Sequence, residues 1–138
     1  MDQINFFYED TSFELTQKES ISSWIMQTIA TEGHKFQELN YIFCSDEYLH
    51  QINVEYLQHD YYTDIITFDN SEQAKTIEGD IFVSVERVQD NAQDQGIPFE
   101  LELRRVIIHG LLHLVGYNDK TDEQQREMRE KENAYLSL

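Results

Sequence analysis

Apolar positions along the chain follow two alternating rhythms: short dense runs, and stretches in which they recur every three or four residues. Ile4 to Tyr8 is a short run of strand type, and Leu39 to Cys44 is a second. Ile65 to Asp69 and Gly79 to Val85 are the most strand-like segments, rich in the β-branched and aromatic residues that suit a pleated surface. Helical spacings lie between them. Lys18 to Thr31 carries Ile21, Trp24, Ile25, Thr28 and Ile29 on one face, with Gly33 where a helix should end. Ser45 followed by Asp46 and Glu47 predicts a helix start, since a hydroxyl accepts from free N–H groups and acids suit the dipole's positive end. That helix should run through Leu49, Ile52, Asn53 and Tyr56. Glu86 to Gln95 reads as a helix stopped by Gly96, and Pro98 stands where a first helical turn tolerates proline. Phe99 to Val115 is the most apolar helix, with Gly116 as its terminator. Asp122 to Leu136 is entered by Thr121 and Gln124 in capping-box spacing. Six acids and four bases between Asp119 and Glu132 make its expected surface a solvated one. The order of elements predicts mixed α and β structure in one layered domain spanning residues 1–138.

Composition narrows the classes. With 138 residues and 40% apolar content, the chain can bury a real core and is neither disordered nor low-complexity. Its single cysteine, Cys44, allows no internal disulfide, zinc ribbon or iron–sulfur site and reads as a small hydrophobe inside a strand, with no disulfide-linked partner expected. The start, Met1-Asp2-Gln3-Ile4-Asn5, has no basic region and no long apolar run, so no signal peptide is expected. No uncharged stretch reaches the roughly 18–20 residues of a membrane span. The expectation is a soluble, cytoplasmic protein without a membrane partner. Ten Lys and Arg against 27 Asp and Glu give a net charge of −17, opposite in sign to that of most proteins that grip phosphates.

Candidate chemistry concentrates in Val106-Ile107-Ile108-His109-Gly110-Leu111-Leu112-His113-Leu114-Val115-Gly116-Tyr117-Asn118-Asp119. Residues four apart share a helix face, so the imidazoles of His109 and His113 can meet one metal ion. The rest of the segment to Val115 is aliphatic apart from Gly110, and a buried imidazole without a partner costs a few kcal/mol. Two core histidines bonded to backbone carbonyls are the alternative. Gly116 lets the chain turn back and bring Asp119 toward the pair as a third ligand, although Asp119 can equally be an ordinary loop acid. Two imidazoles, one carboxylate and an open position would make a catalytic zinc site. Gly110 stands where a zinc peptidase of the His-Glu-x-x-His type keeps its base.

From His109 through Tyr117 the sequence resembles the YbeY family of metal-dependent endoribonucleases, whose signature is His-Gly-x-Leu-His-Leu-x-Gly-Tyr-Asp-His. Asn53, Tyr56, Asp60, Thr63, Asp64 and Phe68, and then Gly79-Asp80-Ile81, are similar to the family as well. Two positions depart from it. Asp119, preceded by Asn118, replaces the family's third ligand histidine, and Leu57 occupies the place of a family arginine; Arg87, Arg104 or Arg105 are the residues that could compensate. The resemblance implies a small α/β (α+β) fold with a mixed sheet flanked by helices and a metal site on the buried His-x-x-x-His helix. It implies one Zn2+ per chain at His109, His113 and Asp119. It also implies cleavage of single-stranded RNA in small-subunit (16S) rRNA maturation and ribosome quality control.

The leading reading is therefore an endoribonuclease partnered with rRNA and ribosomal particles, reached through a locally basic cleft or a basic ribosomal protein because the acidic surface repels free RNA. Its rivals are a peptidase-like zinc hydrolase and a non-catalytic ribosome-assembly factor whose metal staples the fold. No general base is identifiable; Asp64 and Asp80 are carboxylates in the matched segments, and either can instead simply anchor a turn. His34, His50 and His59 are expected at the surface, and Tyr61 and Tyr62 in core or rim packing rather than stacked on bases.

Overall fold

Side-chain caps open three of the five helices in the computed structural model, which describes residues 4–137. Ser45 accepts from the Tyr48 N–H at 3.0 Å at the head of α2 (Asp46–Leu57). Ser84 does the same for the Arg87 N–H, at 3.1 Å, at the head of α3 (Val85–Gln95). Thr121 and Gln124 form the reciprocal capping box of α5 (Asp122–Leu136). The remaining helices, α1 (Lys18–Thr31) and α4 (Phe99–Val115), start without a side-chain cap, α4 directly after Pro98. The strands are β1 (Ile4–Glu9), β2 (Lys35–Cys44), β3 (Ile65–Asp69) and β4 (Thr76–Ser84). Met1 to Gln3, part of the segment read as lacking a signal peptide, lie outside the described residues.

Three features of the fold differ from the sequence reading. Strand β2 starts at Lys35, four residues before Leu39, and β4 starts at Thr76, before Gly79. The added residues are mostly polar and pair with one another, Lys35 with Thr76 and Phe36 with Ile77, before a register irregularity between Phe36 and Glu38. Backbone pairing extends a strand where side-chain pattern gives no sign of it. Val85 belongs to α3 because the Ser84 hydroxyl caps there. Finally, α5 is not simply a solvated helix: Met128, Glu132 and Tyr135 are buried on one face.

The sheet order is β1-β2-β4-β3, with β1, β2 and β4 parallel and β3 antiparallel to β4. Alternation splits its two faces. Leu39, Tyr41 and Phe43 of β2 join Ile77, Ile81 and Val83 of β4 in the main core, with α1 and α4. The other face carries Cys44 and Ile66, covered by Leu49 of α2. Helix α4 approaches the sheet closely at Gly110, where a Cβ would lie 2.7 Å from Ile65 Cδ1 and 2.9 Å from Ile81 Cγ2. The buried Tyr41 hydroxyl donates to the Ile107 carbonyl at 2.9 Å, and the Trp24 indole N–H donates to Tyr135 O at 2.9 Å. These two bonds fix α4 on the sheet and α5 on α1. Among the described residues no helix is long and apolar enough to cross a membrane.

Candidate metal centre

The close approach at Gly110 decides which way α4 presents its polar residues. Gly110 and Leu111 face the sheet and core, so His109 and His113 are turned toward the outer edge of the helix, 22% and 24% exposed. Their rings lie with centroids 4.6 Å apart and nearly perpendicular, and the two Nε2 atoms are 3.0 Å apart. Gly116 then ends the helix at φ 125°, a conformation that favours glycine. Its N–H and that of Tyr117 return to the Leu112 carbonyl at 3.1 and 3.0 Å. The reversed chain brings Asp119 Oδ2 to 3.3 Å from His109 Nε2 and 3.5 Å from His113 Nε2. From the start of α5, the Gln125 amide donates to the Asp119 carbonyl at 3.1 Å and steadies the loop.

These three donors suit one ion. Tetrahedral zinc with ligands at about 2.0–2.1 Å separates its donor atoms by roughly 3.3 Å, and the three distances here, 3.0, 3.3 and 3.5 Å, bracket that figure. His109, His113 and Asp119 form a group whose donor atoms lie within 4.8 Å of one another. Three ligands rather than four is the catalytic pattern, which leaves a position for water or substrate.

A cleft of about 540 Å³ opens beside His109 and Asp119, walled by Asp64, Glu102, Arg105, Arg126, Arg129 and Glu132. Glu132, which the sequence reading missed, accepts from His109 Nδ1 at 2.6 Å and from Arg105 Nη1 at 3.1 Å. Its signal was present: Met128, Glu132 and Tyr135 form a stripe at i, i+4 and i+7, with an acid at its centre. Burial works against a charged His109 ring, but the hydrogen bond and charge of Glu132, then Asp119 and Asp64, outweigh it and raise the ring's pKa. Burial and the neighbouring His109 lower that of His113. Burial would raise the Glu132 carboxyl, yet His109 and Arg105 hold it below the usual range. Burial pushes the carboxyls of Asp64 and Glu102 up.

The other candidate residues disperse. Asp64 is a cleft wall, whereas Asp80 accepts from Asn40 at 2.9 Å and Asn70 at 3.3 Å. Of the three arginines that could compensate for Leu57, only Arg105 lines this cleft. Arg87 pairs with Asp46 at 2.6 Å, and Arg104 stacks over Trp24 at 4.8 Å. Leu57 itself is exposed at the end of α2. His59 is exposed, while His34 and His50 are half-buried and bonded to the Glu32 carbonyl and to Asp60. Of the core or rim packing expected of Tyr61 and Tyr62, the rim is what they adopt: they are exposed, 54% and 45%, and each stacks on a histidine, His59 and His50 respectively. Cys44 is a buried free thiol, pushed up to about 12 by burial and then by Asp46, Glu9 and Asp10. Gly110 leaves no room for a peptidase-type glutamate, since any side chain there enters the packing of Ile65 and Ile81.

Comparison with known proteins agrees with the motif. The family profile described as "Endoribonuclease YbeY" matches residues 3–138. The endoribonuclease YbeY of Cytophaga hutchinsonii is 57% identical over 98% of this chain and 94% of its own length. That of Flavobacterium johnsoniae is 52% identical, over 98% of this chain and 96% of its own. The solution structure of TM1509 from Thermotoga maritima superposes with a TM-score of 0.68 at 28% identity, covering 95% of this chain and 86% of that one. With near full-length coverage in the profile and in both relatives, and the His109–Tyr117 signature folded into one three-donor centre, the chain belongs to the YbeY endoribonuclease family.

Proposed function

We propose that this chain is a metal-dependent endoribonuclease that cleaves single-stranded RNA, acting on small-subunit (16S) rRNA in maturation and ribosome quality control. The observation that carries the reading is the convergence of His109, His113 and Asp119 beside a cleft that His109 and Asp119 line, in a chain of this family. Zinc is the ion that the donor set suits, one per chain, and when bound it would supply Lewis acidity toward a phosphate oxygen and a more acidic water. The protein's own part is positional. His109 and His113 present Nε2 atoms from a rigid, buried helix, and the Gly116 turn sets Asp119 against them. Arg126 and Arg129, exposed on the cleft wall, offer cationic contacts to phosphates. Rival assignments have less behind them: the packing of Gly110 removes the peptidase base, and nothing but net acidity speaks for a non-catalytic assembly factor.

Ribosomal particles, reached in the cytoplasm through a basic ribosomal protein, are the proposed partners, because a −17 surface is poorly suited to naked RNA. The test compares single-stranded RNA, ribosomal subunits and a casein-type peptide as substrates for wild type and His113→Ala, with elemental analysis of both proteins. RNA cleavage by a metal-loaded wild type, lost in the variant, supports the reading. Peptide cleavage with RNA untouched, or ribosome binding without any cleavage, overturns it.

A further inference from the structure

We propose that Glu132 is the positioning residue of this centre: its carboxylate holds His109 with the proton on Nδ1, so that Nε2 faces the ion as a lone pair, and Arg105 holds the carboxylate in place. The inference rests on the metal reading of His109, His113 and Asp119 given above.

A neutral imidazole carries one N–H, and the hydrogen bond at one nitrogen determines which nitrogen is free to ligate. Glu132 Oε2 lies 2.6 Å from His109 Nδ1, and a carboxylate can only accept, so the proton belongs on Nδ1. The other nitrogen, Nε2, is the atom 3.0 Å from His113 Nε2 and 3.3 Å from Asp119. Glu132 is 4% exposed, and an acid so buried persists only when its oxygens are paired. Both are: Oε2 by the imidazole, Oε1 by Arg105 Nη1 at 3.1 Å, with Arg129 Nη1 at 3.8 Å. Arg105 Nη1 also reaches Asn133 Oδ1 at 3.2 Å, which fixes the guanidinium to the same turn of α5. The arrangement is lopsided. Among the described residues His113 has no such carboxylate partner at Nδ1, its side-chain contacts being made through Nε2. Beside Gln125, which holds the Asp119 loop, Glu132 is thus the means by which α5 acts directly on an imidazole of a centre built otherwise from α4 and the turn that follows it. Partners of this kind typically contribute 10–100-fold to metal affinity.

The experiment titrates metal-free wild type, Glu132→Gln and Glu132→Ala with Zn2+ against a chromophoric chelator, and records ¹⁵N NMR of the His109 ring in each metal-free protein. Circular dichroism verifies the fold, and Glu132→Gln, which keeps the shape of the side chain, guards against collapse of α5 in the alanine variant. Expected are a His109 ring protonated on Nδ1 in wild type, a mixture of tautomers in Glu132→Ala, and a roughly 10–100-fold loss of zinc affinity in that variant. A smaller loss is expected in Glu132→Gln, whose amide oxygen can still accept. A structural ion pair alone would leave the tautomer unchanged. If wild type binds zinc and both folded variants bind it equally well, the proposal is overturned while the metal reading stands. If wild type binds no zinc, the metal reading falls and takes the proposal with it.

Discussion

Asp119 is the most accessible of the three donors, its side chain 41% exposed against 22% and 24% for the two imidazoles. It also hangs from a loop, held by the Gly116 turn on one side and by the Gln125 amide on the other. Its contribution is therefore one ligand atom with little packing attached, which makes it the cleanest single test of the site. Asp119→Ala should weaken zinc binding by about 10-fold or more, and Asp119→His should retain a site, because an imidazole restores a donor at the same place. Asn118→Ala, at the exposed neighbour, should change affinity little. Competition titration with a chelator measures all three, and unchanged affinity in Asp119→Ala would exclude it as a ligand. Helical spacing in an aliphatic segment singled out the two histidines, and the glycine turn together with the family resemblance singled out Asp119, since four residues on a helix and a glycine turn are local geometry. Glu132 escaped because its partner is 23 residues away and only the docking of α5 brings the two together. A count of charges along α5 treats every acid as solvated, whereas the apolar neighbours of Glu132 on its own face mark it as buried.

Helices show the same division between local and distant causes. The ends of α1, α4 and α5 coincide with the sequence reading because glycines, Pro98 and the Thr121 box act within a few residues. The early starts of β2 and β4 depend on each other's backbone and have no local mark. A third contact, between elements far apart in sequence, governs how α1 is held. Glu32 closes α1 at the negative end of its dipole, an unfavourable place for an acid. It stays there because it accepts from Tyr117 at 2.8 Å, from Lys131 at 3.3 Å and from the Tyr135 hydroxyl, linking α1 to the loop after α4 and to α5. Burial alone would raise its pKa, but these hydrogen bonds outweigh burial and lower it below the ordinary glutamate value of 4.5. The sign of the consequence follows. A group depressed in the folded state stabilises the fold above its unfolded pKa and loses that contribution as pH falls through the folded one. Glu32→Gln should therefore destabilise the protein by about 1–3 kcal/mol at pH 7. The gap to wild type should narrow as pH drops below about 4.5. Urea unfolding at several pH values measures it, and a gap that does not change with pH would assign the effect to packing instead of charge.

Taken whole, the molecule carries −17 yet places three of its five arginines, Arg105, Arg126 and Arg129, around one cleft. Arg105 is already committed to Glu132 at 3.1 Å, so two phosphates, or three at most, can be neutralised there. Each contact to single-stranded nucleic acid contributes about −0.7 to the slope of log affinity against log salt, which gives a slope of about −1.4 to −2. Over a fourfold rise in salt, from 50 to 200 mM, affinity for a labelled single-stranded RNA should then fall only about 7- to 18-fold. Screening of the acidic surface works in the opposite sense and can only flatten the line further. Arg126→Gln combined with Arg129→Gln should bring the slope to about −0.7 or shallower. Fluorescence anisotropy across the salt range tests this, and a wild-type slope steeper than about −4 would reveal a basic footprint that this cleft does not contain. So shallow a slope leaves little phosphate-derived affinity for naked RNA. Cleavage should accordingly be slow on free strands and faster on ribosomal particles, where basic protein surface meets an acidic enzyme and supplies the attraction that the cleft cannot. Equal rates on the two substrates at limiting concentration would remove that requirement for a particle-borne partner.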